Sequence, residues 1–244
     1  MRFDLITLFP GMMEGPLSES ILKRAREAGH IRVHVHDLRE WAEGKHRQVD
    51  DAPFGGGDGM VIKPEPLVQA VRDIKAKAQE SKTVLLTPQG ELFEQKTAQE
   101  WSSLPGLILV CGHYAGVDER ARQAVIDHEV SIGDYVISGG ELAALVVLDA
   151  VARQIPGVLG NESSAARDSF PGRLEWPQYT RPAEFEGRPV PEVLLSGHHQ
   201  NIERWRKKES LRRTLLRRPD LLEKYLPDDE ERELMEEIRR ELED

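Results

Sequence analysis

Ser131-Ile-Gly-Asp-Tyr-Val-Ile-Ser-Gly-Gly-Glu141, preceded by Leu107-Ile-Leu-Val-Cys-Gly-His-Tyr-Ala-Gly-Val-Asp-Glu-Arg120, decides how this chain is read. In each segment a short apolar run ends in a glycine-bearing loop, so backbone N–H and C=O groups there can approach a flat, polar ligand closely. Glycine beside a strand also serves a tight turn or a packing contact, and for any single loop the two readings stay open. The same alternation of apolar run and helix extends to both sides. Strands are expected over residues 1–9, 31–37, 83–87 and 107–112, and helices over 17–28, 64–80, 94–103, 117–127 and 141–154. Strands separated by helices imply an α/β domain with a largely parallel sheet. The last of these helices is apolar on most sides, so it is either central or at a subunit interface.

The chain has 244 residues, 39% of them hydrophobic, enough for a sizeable core in one large domain or two modest ones. It contains no apolar run of membrane-spanning length, and the opening Met1-Arg-Phe-Asp-Leu-Ile-Thr-Leu-Phe is too short and too acidic for a signal peptide. A cytoplasmic protein without a membrane partner is expected. The single cysteine, Cys111, excludes an internal disulfide and a multi-cysteine zinc site, and its apolar surroundings suggest an inert thiol. The net charge of −10 is mostly a tail: residues 220–244 hold twelve acids against Lys224, Arg232, Arg239 and Arg240. Just before it, Arg204, Arg206, Lys207, Lys208, Arg212, Arg213, Arg217 and Arg218 stand against Glu209 alone.

Three segments follow along the chain: an α/β domain over 1–160, a small, polar, glycine-bounded flexible linker over 161–172, and a helical domain over 173–244. Helices are expected in the last at roughly 198–217, 219–226 and 229–242. In the first of these, Ile202, Trp205, Leu211, Leu215 and Leu216 lie near one stripe with bases around it, giving a packed face and a cationic face. Contact with RNA phosphates and pairing with the acidic tail are equally good readings of that charge.

Other motifs mainly exclude. Phe54-Gly-Gly-Gly-Asp-Gly-Met60 is not a dinucleotide-binding glycine fingerprint, and no phosphate-cradling P-loop is present. The loop suits bending around a substrate or another chain. His34, His36, His198 and His199 lack the spacing of a metal site, and no activated Ser or Cys nucleophile is apparent. Arg153 and Asp168 form the pair to examine for proton transfer: a carboxylate within reach takes a weakly acidic proton, and a guanidinium offsets the charge that develops. Spacing alone does not select them.

Taken together these motifs, with Asp50-Asp-Ala-Pro-Phe, Leu86-Thr-Pro-Gln-Gly90, Leu148-Asp-Ala-Val-Ala-Arg-Gln-Ile-Pro-Gly-Val-Leu-Gly160, Tyr179-Thr-Arg-Pro182 and Leu195-Ser-Gly-His-His199, closely resemble the bacterial tRNA (guanine-N1)-methyltransferase family, TrmD, of the SPOUT superfamily. The resemblance runs to about residue 226. It implies a trefoil-knotted parallel-sheet domain followed by a small all-helical domain, and a homodimer with active sites between subunits. It also implies an enzyme that methylates N1 of the guanosine immediately 3′ of the tRNA anticodon with S-adenosyl-L-methionine. Carried over residue by residue, the cofactor pocket falls on Leu86, Pro88, Gly112, Tyr114, Ile132, Gly133, Asp134, Tyr135, Val136, Ile137, Gly139 and Gly140. The base falls on Asp168, its partner on Arg153, and tRNA contacts on His46, Asp50, Arg204, Arg206, Lys207 and Lys208. Three residues depart from the family pattern: Ala115 where many relatives carry glutamate, His113 where arginine is frequent, and Asp58 where proline is common. The first leaves a Mg2+ requirement open, and no resident metal site is expected.

Overall fold

A computed structural model describes residues 1–160, 169–170, 172–223 and 225–243. The chain divides into two compact units, Met1–Glu162 and Ser163–Asp244. The expected linker lies mostly, and Asp168 wholly, outside the described residues.

The first unit is built on five parallel strands: β1 (Arg2–Thr7), β2 (Arg32–Asp37), β5 (Lys82–Leu92), β6 (Gly106–Cys111) and β7 (His128–Ser131), in the order β2-β1-β6-β5-β7. Period-two alternation sorts the side chains of the wholly buried β6. Leu107, Leu109 and Cys111 join one core, and Ile108 and Val110 join the other. The first core packs Phe3, Leu5, Val84 and Leu86 against helices α1 (Gly11–Leu17), α2 (Ser20–Glu27), α4 (Gln95–Ser102) and α6 (Glu141–Ala152). The second packs Ile6, Leu8 and Leu85 against a 3-10 turn (Leu38–Trp41), α3 (Pro64–Lys77) and α5 (Glu119–Val125). The result is a three-layer α/β/α sandwich. The helix expected over 17–28 is α2, and ahead of it the structure adds α1, which closes where the Ser18 N–H turns back onto the carbonyls of Glu14 and Gly15.

Two close approaches shape the C-terminal edge of this sheet. Val130 of β7 pairs with both Leu86 and Glu91 of β5, so residues 87–90 bulge out of the ladder. Gly90 sits so close that a Cβ there would lie 2.2 Å from the Val130 nitrogen. Beyond β7 the chain crosses the end of β5 and comes to rest on β6: the Gly140 N–H donates to the Gly112 carbonyl at 2.7 Å, and His113 bridges Gly139. A Cβ on Gly140 would stand 2.8 Å from the Cys111 Cα, so only glycine allows this approach.

The second unit contains α7 (Glu192–Leu195), α8 (His199–Arg217), α9 (Pro219–Glu223) and α10 (Asp229–Glu243). Its core is small, with Leu211, Leu234 and Ile238 buried together. To the helices expected here the structure adds a hairpin, β8 (Glu184–Phe185) with β9 (Arg188–Pro189). Its two turn residues, Glu186 and Gly187, both have positive φ, which matches the right-handed twist of the flanking strands.

Candidate active site

Because β5, β6 and β7 are parallel, their C-terminal ends share one edge, where α/β sheets gather ligands. There the bulge at 87–89, the turn at 112–117 and the loop at 131–140 enclose a cavity of about 310 Å³. Leu86, Pro88, Gly112, Tyr114, Ile132, Gly133, Tyr135, Val136, Ile137, Gly139 and Gly140 line it, and Asp134 does not. Tyr114 is held at a positive φ of 59° with its ring against His113, and Tyr135 closes over Gly133. Tyr114, Tyr135 and Val136 all stand exposed.

Charge enters this wall from a source that glycine patterns did not reveal. Arg122 on α5 lines the cavity and pairs with Glu119 at 2.5 Å and with Glu129. Hydrogen bonds from Arg122 and Gln123 hold the Glu119 carboxyl below its usual range, and the two glutamates raise the guanidinium in return. The signal available in the sequence was Asp118-Glu119-Arg120, where Asp118 caps α5 by accepting from the Arg120 N–H. Behind the cavity, burial pushes the Cys111 thiol well up and the nearby Glu141 charge adds to it, which agrees with the inert thiol expected.

The segment singled out for substrate lies in the same unit. His46 is exposed, and Asp50 belongs to β3 (Asp50–Asp51), which pairs antiparallel with β4 (Val61–Ile62). Between these strands run Gly55, Gly56, Gly57 and Gly59, all at positive φ, with Phe54 fully exposed. This hairpin is tied to the cavity wall: the Ala115 N–H donates to the Met60 carbonyl at 2.9 Å and the Ile62 N–H to the Gly116 carbonyl at 2.9 Å. Arg153 caps the C-terminus of α6 and is partly buried. Asp168, expected as its partner, lies outside the described residues.

Five bases of α8, Arg204, Arg206, Lys207, Lys208 and Arg212, are engaged by carboxylates. Arg204 pairs with Glu237 at 2.6 Å, Lys208 with Glu237 and Glu241 at 2.9 and 2.7 Å, and Lys207 with Glu230. Arg212 reaches Glu241 and Glu209, while Arg206 bonds Glu203 and lies 5.1 Å from the Trp176 ring centre. Pairing with the acidic tail, one of the two open readings, is therefore what the fold contains. His36 is likewise engaged, 2.8 Å from the buried Asp4, and the described residues hold no cluster of three or more metal-ligating groups.

The family model described as tRNA (Guanine-1)-methyltransferase TrmD matches residues 1–224. The chain belongs to the TrmD family. A tRNA (guanine-N(1)-)-methyltransferase of Chloroflexus aggregans is 60% identical over 223 residues, covering 91% of this chain and 88% of the relative. Proteins of the same name from Geobacillus kaustophilus and Halalkalibacterium halodurans are 54% and 55% identical over the full length of both chains. The TrmD match takes in the whole cavity, the 50–60 hairpin and α8. It ends before α10, the helix that supplies most of the acids facing α8.

Proposed function

We propose that this chain transfers a methyl group from S-adenosyl-L-methionine to N1 of the guanosine immediately 3′ of the anticodon in tRNA, leaving S-adenosylhomocysteine. The observation that carries the reading is the meeting of three loops, 87–89, 112–117 and 131–140, on one cavity in a TrmD chain. The residues present fit the donor. Two tyrosine rings offer flat apolar surface, and the glycines leave backbone groups within reach of an adenine. When bound, that molecule supplies an electrophilic methyl group.

The chain's own residues supply the rest. Guanine N1 carries a proton, so its lone pair becomes available only as that proton leaves. Asp168 accepts the proton, Arg153 offsets negative charge gathering at O6, and the segment bearing His46 and Asp50 holds the RNA beside the cavity. Ala115 provides no carboxylate for a metal at its position. Leu142 and Val146, on successive turns of α6, are about half exposed, which supports a homodimer burying them. The return of 132–140 across β5 onto β6 supports the trefoil knot that the family resemblance implies. Among the described residues no helix is long and apolar enough to cross a membrane, in keeping with a cytoplasmic site of action.

The test is mass spectrometry of nucleosides from a guanine-containing tRNA transcript incubated with protein and S-adenosyl-L-methionine. The native chain should yield 1-methylguanosine and Asp168→Ala should not. Methylation at another position, no product, or full activity in the variant would overturn the proposal.

A further inference from the structure

Behind the cavity two polar atoms face each other without meeting. Glu141, at the first turn of α6, is 1% exposed; its Oε1 accepts from the Thr7 hydroxyl at 2.7 Å, and that hydroxyl oxygen in turn accepts the Phe9 N–H. Its second oxygen, Oε2, lies 3.9 Å from Nδ1 of His113. Neither of these two atoms has a hydrogen-bond partner among the described residues. Gly139 lies against both, since a Cβ there would stand 2.3 Å from each, so nothing larger than a hydrogen separates the pair on that side. The His113 ring is fixed by Phe9, with centroids 4.9 Å apart, and by Tyr114 at 4.6 Å and a near-perpendicular angle.

A buried carboxylate oxygen left unpaired is costly, and so is an unpaired imidazole nitrogen. A movement of about 1 Å would bring the two within hydrogen-bonding range. That movement is not isolated from the cavity. His113 is bridged to Gly139, accepts the Gly116 N–H through its carbonyl at 3.1 Å, and immediately precedes Tyr114, which is held at positive φ. Drawing the ring toward Glu141 thus draws together the two loops that form opposite walls, 112–117 and 131–140.

The geometry points to Glu141 and His113 as a positioning pair for the methyl donor: their hydrogen bond closes when the cavity fills and locks the two loops around the ligand. Both are positioning residues: Glu141 stands behind Gly139, while His113 itself lines the cavity wall next to Tyr114 and is bridged to Gly139. The inference rests on the methyltransferase reading and adds the residues that set donor affinity. A donor that touches both loops binds more tightly when they are drawn together, and the hydrogen bond formed in that arrangement adds to its affinity.

The experiment is isothermal titration of S-adenosylhomocysteine into the full chain, with melting temperatures recorded in parallel. His113→Phe keeps the ring contacts and removes Nδ1, and Glu141→Leu removes the carboxylate. Glu141→Gln keeps an acceptor for Thr7 and gains a donor for Nδ1. His113→Phe and Glu141→Leu should each weaken binding about tenfold and raise KM for the donor with kcat little changed. The double variant should be no weaker than either single, and Glu141→Gln should stay within about twofold of native. Should Glu141→Leu fail to fold, His113→Phe and Glu141→Gln decide the matter alone. Additive losses, or losses of melting temperature with unchanged affinity, would overturn the pair. Absence of binding by the native chain would instead refute the methyltransferase reading.

Discussion

Replacing Glu230, Glu237 and Glu241 by glutamine asks what the basic helix is for. In the structure these three acids engage Arg204, Lys207, Lys208 and Arg212, so an RNA phosphate approaching α8 meets cations that are already neutralised. The pairs are at the surface, where screening makes them weak contributors to stability, and Leu234 and Ile238 keep α10 in place through the core. The triple variant should therefore fold and melt close to the native chain. Each cation newly available to a phosphate steepens the dependence of log K on log salt by roughly 0.7–0.9; Arg212 stays with Glu209, so freeing the other three adds about 2 to 3 to the slope. Between about 50 and 200 mM salt that added slope corresponds to roughly a 20- to 40-fold greater loss of affinity, with tighter tRNA binding at the low end. Fluorescence anisotropy of labelled tRNA over a salt series measures it. An unchanged slope and affinity in a properly folded variant would mean that this face of α8 does not meet RNA, and that its charge serves only to hold α10.

Two further outcomes follow from buried geometry. Gly140 has an ordinary φ of −74°, so Gly140→Ala tests packing alone: its Cβ would sit 2.8 Å from the Cys111 Cα and the Gly112 nitrogen, and the variant should lose about 1–3 kcal/mol in urea unfolding and bind S-adenosylhomocysteine more weakly. A variant of native stability and affinity would disprove that close approach. The fully buried Asp4 is raised by burial but lowered more strongly by hydrogen bonds from His36 and Arg2, at 2.8 and 2.7 Å, leaving its carboxyl below the usual range. A folded-state pKa below the unfolded one contributes stability that is full above the unfolded value and drains away as pH falls through the folded one. Native stability should thus drop below about pH 4, and the deficit of Asp4→Asn at neutral pH should shrink over the same interval, as read from urea unfolding at each pH. A deficit that does not change with pH would show that the charge on Asp4 is not what matters.

How much of the molecule was legible beforehand varies with the range of the interaction concerned. Strands of the sheet and most helices follow from period-two and helical patterns within about ten residues, and α6 stood out because it is apolar on most sides. The cavity loops were legible as glycine-bearing turns after apolar runs, though which atoms they bring together was not. The charge of α8 has no local answer: whether Arg204 meets RNA or Glu237 depends on a helix that begins at Asp229, well along the chain. The same is true of Arg122 with Glu129, of Asp4 with His36, and of Glu141 with His113, where each partner is brought in by another element.

Local residue order by itself therefore determined the layers: which segments extend, which coil, and which faces turn inward, because backbone geometry repeats every two or 3.6 residues and apolar side chains keep to that repeat. Tertiary structure alone decided the order β2-β1-β6-β5-β7, the seating of Gly140 on Gly112, and the partners of the buried Asp4 and Glu141. These depend on close approach between residues distant in the chain, where a single Cβ or an unmet carboxylate outweighs any local preference.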